Sequence, residues 1–307
     1  GLVHRKKIFN MIPQGPGGLQ FNTSEWPFDD IKVREAFSYA WDLEKLMDKL
    51  FYNEYVQSNS YVPWSKYEHP DNPKQYYNPD KALKLLTEAG WIRQPEEKWL
   101  SKNGKIFEID MYTYQGWDRI HNFLINNLES IGIKLNLLVT QNPFEKYIDK
   151  SFTIYFGSWT GNILPDFEEM MHSKYSTQPE VTNTTGMANP KIDQLLEAYN
   201  ANWDIDQRVR IMQQIDSLAT REYHYVFGWK APYGWRGLHW NRFGMPEHGI
   251  GYGGEYYKKY WGDWGSHMNL WWSDPQKKAQ LTEAKSSKDI SLPIDNEIID
   301  YWNKLGK

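Results

Sequence analysis

Apolar positions along this chain recur at two different periods, and the periods alternate repeatedly. Val33, Ala36, Phe37 and Ala40 return at helical spacing after Pro27-Phe28-Asp29-Asp30, which predicts a helix capped by Asp30. Leu43, Leu46, Met47 and Leu50 predict a second helix from Asp42. Asn78-Pro79 opens a third, whose inner face carries Ala82, Leu83, Leu86 and Ala89 before Gly90 stops it. The spacing then drops to two: Phe107, Ile109 and Met111 alternate with Glu108 and Asp110, and Tyr112-Thr113-Tyr114 extends the strand. Ile120, Phe123, Leu124, Leu128 and Ile131 restore the helical period, Gly132 ends it, and Ile133, Leu135, Leu137 and Val139 alternate as the next strand, completing a β-α-β unit.

Phe152 to Trp159 is a further apolar run of strand length, and Pro165 interrupts the loop after it. Asn189-Pro190 repeats the cap-and-proline signal ahead of Ile192, Leu195, Leu196 and Tyr199. Val209, Met212, Ile215 and Leu218 mark another helix, and Tyr223 to Trp229 reads as a strand. Asn53 to Pro73 has no clear period, and glycine, proline and aromatics dominate from Ala231. The tail from Lys277 is polar until Ile294 to Trp302, a short final helix. Strands alternating with helices predict an α/β fold.

Composition narrows the function. Lys plus Arg number 35 against 39 Asp plus Glu, giving a net charge of -4, so no global basic field is present to hold a nucleic acid or an anionic membrane. The absence of cysteine excludes disulfides, zinc-cysteine sites and thiol nucleophiles. No initiator Met, basic n-region or apolar h-region opens the sequence, which leads to the expectation that processing or truncation has removed a secretory signal. The outlying feature is 16 Trp, 21 Tyr and 13 Phe in a chain whose mean hydropathy is only -0.75. Rings in such number either fill cores or line a surface that stacks on a ligand.

Other candidate chemistry is weaker. Gly249-Ile250-Gly251-Tyr252-Gly253-Gly254 has dinucleotide-fingerprint spacing but follows no strand and opens no apolar helix. The histidines are scattered without metal spacing, so no metal and no cofactor is called for. Asp166, Glu168 and Glu169 could include a glycosidase acid and base, yet acids after a proline also suit a helix N-terminus. Ser158 lacks a glycine elbow, and no hydrolase triad stands out, so the chain is not read as an enzyme.

Phe21-Asn22-Thr23, then Pro27-Phe28-Asp29-Asp30-Ile31-Lys32-Val33-Arg34-Glu35-Ala36, then Ala40-Trp41-Asp42 resembles the signature of the dipeptide and oligopeptide solute-binding family, extracellular family 5. Asn78-Pro79-Asp80-Lys81-Ala82 with Leu85-Leu86-Thr87-Glu88-Ala89-Gly90-Trp91 is similar to its next landmark. Leu128 to Ile133 resembles its helix-to-strand junction, and Gly157-Ser158-Trp159-Thr160-Gly161 its pocket strand. Phe51 to Pro63 and the aromatic C-terminal stretch are most similar to the branch containing the binding proteins of murein-peptide and microcin importers.

The resemblance implies a periplasmic binding protein-like II lobe and a partnership with an ABC permease in the membrane. It implies a periplasmic or cell-surface location, and a peptide or peptide-like ligand, or an oligosaccharide on the same architecture. It places Trp159, Thr160, Asn162, Trp117, Gln115, Phe21 and Asn22 at the cleft, with Trp229 and Tyr233 after the crossover, and gives Asp30 and Arg34 structural roles. Asn162 stands where many relatives hold the peptide amine with Asp, and Phe156 where some carry a basic residue. The implied division is a crossover strand over 1–20, an α/β ligand-binding lobe over 21–225, and a return segment over 226–307 that completes an N-terminal lobe missing from this chain.

Overall fold

In a computed structural model, residues 1–9, 14–162, 164–232, 235–248, 271–294 and 296–305 are described. Tyr233, Trp261, Trp264 and the Gly249 to Gly254 string lie outside them. By contacts the chain divides into two units: Gly15–Trp159 with Pro165–Lys230, and Gly1–Gln14 with Thr160–Leu164 and Ala231–Lys307. The sequence places a boundary near 225–232; the contacts divide the chain at 230/231 and set Thr160–Leu164 with the terminal segments.

The larger unit is built on a five-stranded mixed sheet in the order Tyr225–Phe227, Gly17–Phe21, Ile154–Ser158, Glu108–Thr113, Lys134–Val139. Glu108–Thr113 pairs in parallel with both Lys134–Val139 and Ile154–Ser158, while Gly17–Phe21 is antiparallel to its two neighbours. Both faces are covered over Tyr225–Phe227, Gly17–Phe21 and Ile154–Ser158, whereas Glu108–Thr113 and Lys134–Val139 leave residues such as Glu108, Asp110 and Val139 exposed. Leu19, Phe21, Ile109, Met111, Ile154 and Val226 join one apolar cluster with the helices Ile31–Ala40, Leu43–Phe51, Pro79–Glu88 and Asp118–Ser130. Tyr225 and Phe227, one residue to either side of Val226, join another with Pro190–Ala201 and Ile205–Arg221. The two-residue side-chain period of a strand produces this division.

The caps form as the sequence predicts. Asp30 accepts from the Lys32 amide at 2.9 Å, Asp42 from Lys45 at 3.0 Å, Asn78 from Lys81 at 3.0 Å and Asn189 from Lys191 at 2.9 Å. Arg34, buried, donates to the carbonyls of Phe28 at 2.7 Å and Glu222 at 3.0 Å, fastening the first helix to the end of the long one.

The structure corrects the expectation in three places. The polar tail contains a helix, Pro275–Ser286, whose cap Asp274 accepts from Gln276 at 3.0 Å. Only Leu281 and Ala284 are buried on it, so it has almost no apolar stripe to detect, although Asp274-Pro275 is the same signal used elsewhere. The final helix predicted over Ile294 to Trp302 is a strand, Asn296–Ile299, parallel to Val3–Ile8, followed by the short helix Tyr301–Leu305. In the smaller unit Val3–Ile8 also pairs with Trp235–Trp240 in antiparallel fashion.

The aperiodic Asn53 to Pro73 stretch is the third. It contains a two-residue strand, Val56–Gln57, and buries Tyr61 and Tyr67 in the second cluster. Asp216 on the long helix holds it. Its carboxylate accepts from Ser60 Oγ at 2.9 Å, the Tyr61 amide at 2.8 Å, the His69 amide at 3.0 Å and Asn72 Nδ2 at 2.6 Å. Burial raises the Asp216 pKa, and the four donors oppose that rise. Asp216→Ala leaves those donors without an acceptor and is predicted to cost about 3 kcal/mol or more in urea unfolding. A loss under about 1 kcal/mol would show that the stretch is held by its tyrosines alone.

Candidate functional site

Four of the five sheet strands run the same way, so their carboxyl ends lie along one edge, and the reversed strand begins there at Gly17. This is where open α/β sheets place ligand sites. A cavity of about 250 Å³ opens at that edge, lined by Gly17 and Gly18, by Tyr112 to Tyr114 and Trp117, by His121 and Pro143, by Tyr155 to Ser158, and by Trp229 and Lys230. That volume is below the roughly 300–1,000 Å³ that encloses a drug-sized ligand.

The backbones approach closely at this edge. Gly18 has φ +142°, and a Cβ there would stand 2.0 Å from the Val226 carbonyl oxygen, so no side chain fits between these strands. The wall is aromatic. Phe156 stacks on Trp229 at 5.3 Å between centroids and meets Trp117 at 5.4 Å. Trp41, buried behind them, meets Phe156 and Trp229 edge-on at 6.0 and 5.8 Å. Such ring pairs add about 0.5–1.5 kcal/mol each beyond area burial, enough to fix the wall before a ligand arrives.

Two polar groups stand in this apolar setting. His121 is buried, its Nδ1 lies 3.2 Å from Thr113 Oγ1, and burial lowers its pKa to about 4, so the ring is neutral at pH 7. Its Nε2 has no hydrogen-bond partner among the described residues. Lys230 donates to the Trp159 carbonyl at 3.3 Å, and burial lowers its pKa to about 8.

The sequence-selected residues scatter relative to this cavity. Trp117 and Trp229 line it. Gln115 is exposed on the turn before the Asp118–Ser130 helix and is not part of the lining. Trp159 is half-buried against Tyr147, its indole N–H donating to the Tyr147 hydroxyl at 3.3 Å, and it too stands outside the lining. Thr160 and Asn162 are exposed and grouped with the terminal segments. Phe21 and Asn22 require correction. Phe21 is wholly buried, stacked on Phe28 at 4.4 Å, and buried Asn22 donates to the carbonyls of Lys150 and Phe152 at 3.0 and 3.1 Å, so both serve the interior.

The acidic trio is likewise engaged elsewhere. Glu168 pairs with Lys174 and accepts from Asn200 at 2.7 Å, Glu169 accepts from Thr182 Oγ1 at 2.7 Å, and Asp166 accepts from the Glu168 amide at 3.1 Å. None of the three lines the cavity. Among the described residues no cluster of His, Cys, Asp or Glu could hold a metal, and no helix is long and apolar enough to cross a membrane. Lys230 and His121 were missed. A lone Lys after a predicted strand and a His on a helix carry no local signal, and only the packed sheet edge brings them together.

The profile of the bacterial extracellular solute-binding proteins, family 5 Middle, matches residues 4–180. The oligopeptide-binding protein AppA of Bacillus subtilis is 25% identical over 248 residues, covering 76% of this chain and 43% of AppA. The structure of AppA in complex with a nonapeptide superposes with a TM-score of 0.72 at 20% identity, covering 89% of this chain and 53% of AppA. A mannohexaose-bound oligopeptide-binding protein from Thermotoga maritima gives a TM-score of 0.70 at 18% identity, covering 86% of this chain and 53% of that one. The fold is thus periplasmic binding protein-like II, and the chain spans about half the length of these relatives.

Buried neutral histidines make stability depend on acid. His121 and His224 have pKa values lowered by burial to about 4 and about 3, against an ordinary value of about 6.5. Below about pH 6.5 the unfolded chain takes up protons that the native rings refuse, so stability falls by up to about 1.4 kcal/mol per pH unit for each ring until the native value is reached. Urea midpoints measured from pH 7 down to pH 4.5 should fall less steeply in a His121→Gln, His224→Gln variant than in the parent. Equal slopes would mean that neither ring is held neutral.

Proposed function

This chain belongs to the bacterial extracellular solute-binding proteins of family 5, and from that membership we propose that it is part of the substrate-binding component of an ABC importer, capturing peptides or peptide-like solutes. The observation that carries the ligand site is the aromatic cavity at the carboxyl edge of the sheet, with Trp117, Phe156 and Trp229 on its wall. Capture is reversible and non-covalent, without catalysis, and the partner is a membrane permease that reads the loaded state. The protein works outside the cytoplasmic membrane, in the periplasm or at the cell surface. Because the chain spans about half of its relatives' length, capture belongs in this proposal to a protein of full family length.

Trp159, Thr160, Asn162 and Gln115 enter the proposal as ligand contacts made outside the cavity, since Thr160, Asn162 and Gln115 are exposed and Trp159 is half-buried. A second reading, oligosaccharide binding, is favoured by the same flat rings and by the mannohexaose in the Thermotoga relative. Calorimetry of the full-length protein with tri- to hexapeptides and with cello- and chito-oligosaccharides separates the two, and heat from peptides alone is expected.

Trp229→Ala should weaken peptide binding roughly tenfold to a hundredfold, as loss of a central aromatic contact does. Trp203→Ala, at a side chain 87% exposed and outside the cavity lining, should leave it unchanged. Equal affinity in the Trp229 variant and the parent would remove the cavity from the site.

A further inference from the structure

Lys230 stands on the cavity wall with its positive charge uncompensated. Among the described residues it forms no ion pair, none of the cavity-lining residues is acidic, and the burial that lowers its pKa is opposed by no neighbouring carboxylate. One of the three ammonium donors goes to the Trp159 carbonyl. A Cβ on Gly17 would stand 3.3 Å from Nζ, so glycine keeps the space beside the ammonium free of a side chain. A half-buried cation left unpaired costs free energy that a ligand anion would recover.

His121 is the second observation. Its ring is 2% exposed, it lines the same cavity, and Nε2 has no partner among the described residues. Its Nδ1 lies 3.2 Å from Thr113 Oγ1, whose hydroxyl also reaches the Tyr114 carbonyl at 3.5 Å, so either ring nitrogen can carry the proton. Trp117, Phe156 and Trp229 supply flat apolar surface around these two polar groups.

Resting on the reading of this cavity as the ligand site, we infer that it selects solutes carrying an anionic group beside an apolar or planar one, with Lys230 Nζ taking the anion and the three rings taking its neighbour. Phe156 brings no basic group to the cavity, and Lys230 supplies one from the strand Trp229–Lys230. A carboxylate can come from a peptide's C-terminus or from an acidic side chain, and both present the same acceptor oxygens.

The test uses the full-length protein and an equimolar mixture of tri- to hexapeptides. Each peptide is made as C-terminal acid and amide, and with Glu or Gln at one internal position. Mass spectrometry compares the pools retained by the parent, Lys230→Met and Lys230→Arg. The parent should enrich the anionic member of one pair by roughly tenfold or more, the size expected of a hydrogen bond to a charged group. Which pair is enriched identifies the source of the carboxylate.

Lys230→Met should lose the enrichment while still retaining neutral peptides, which shows that it is folded, and Lys230→Arg should keep it. Equal retention of anionic and neutral members by the parent, or undiminished enrichment in Lys230→Met, would overturn the inference and leave peptide capture standing. Retention of no peptide by the parent would remove the peptide reading and this inference with it.

Discussion

A sheet whose strands Tyr225–Phe227, Gly17–Phe21 and Ile154–Ser158 are buried on both faces constrains the rest of the larger unit, because these strands serve two interiors with alternate residues. In Tyr225–Phe227 the middle residue packs with one set of helices and its neighbours with the other. The same division makes Leu19 and Phe21 interior to one side, while Gln20 accepts from the Tyr147 hydroxyl on the opposite side. Where both faces are committed, the strand ends are what remains for function. The reversed strand matters here because it places its glycine start, rather than a bulky end, at the carboxyl edge of the other four.

The cavity follows from that edge. Gly17 and Gly18 let the strands close up, Phe156 and Trp229 extend just past the interior, and Trp41 holds them from behind. Rings in this arrangement offer large contact area at little conformational cost. Electrostatics give the cavity its sign: a neutral histidine, a desolvated lysine and no acid in the lining. The carboxylates that might have suggested hydrolysis are tied to Lys174, Asn200 and Thr182 instead.

Most of this fold was legible because its signals are local. Asp30, Asp42, Asn78 and Asn189 cap their helices within three residues of sequence, and the apolar stripes after them are strong. Pro275–Ser286 escaped because a helix with two buried residues leaves no stripe, and Asn53 to Pro73 because tyrosines entering a core singly have no period. The site was less legible for a related reason. Phe21 and Asn22 belong to a recognisable motif whose work is structural, and a resemblance that points to the aromatic residues near Trp159 does not say which face each takes. Trp117 and Trp229 were chosen on the same grounds and do line the cavity, while Lys230 gains its character from desolvation, which no single-residue pattern encodes.

In the proposed reading the solute is held at the carboxyl edge of the sheet, against its ring wall. The crystal structure of the full-length protein with its co-purified ligand tests it most directly. Ligand atoms are expected within about 4 Å of the Trp229 and Phe156 rings, the ordinary contact distance for apolar groups. A ligand bound away from this edge, with those rings touching only protein, would contradict it.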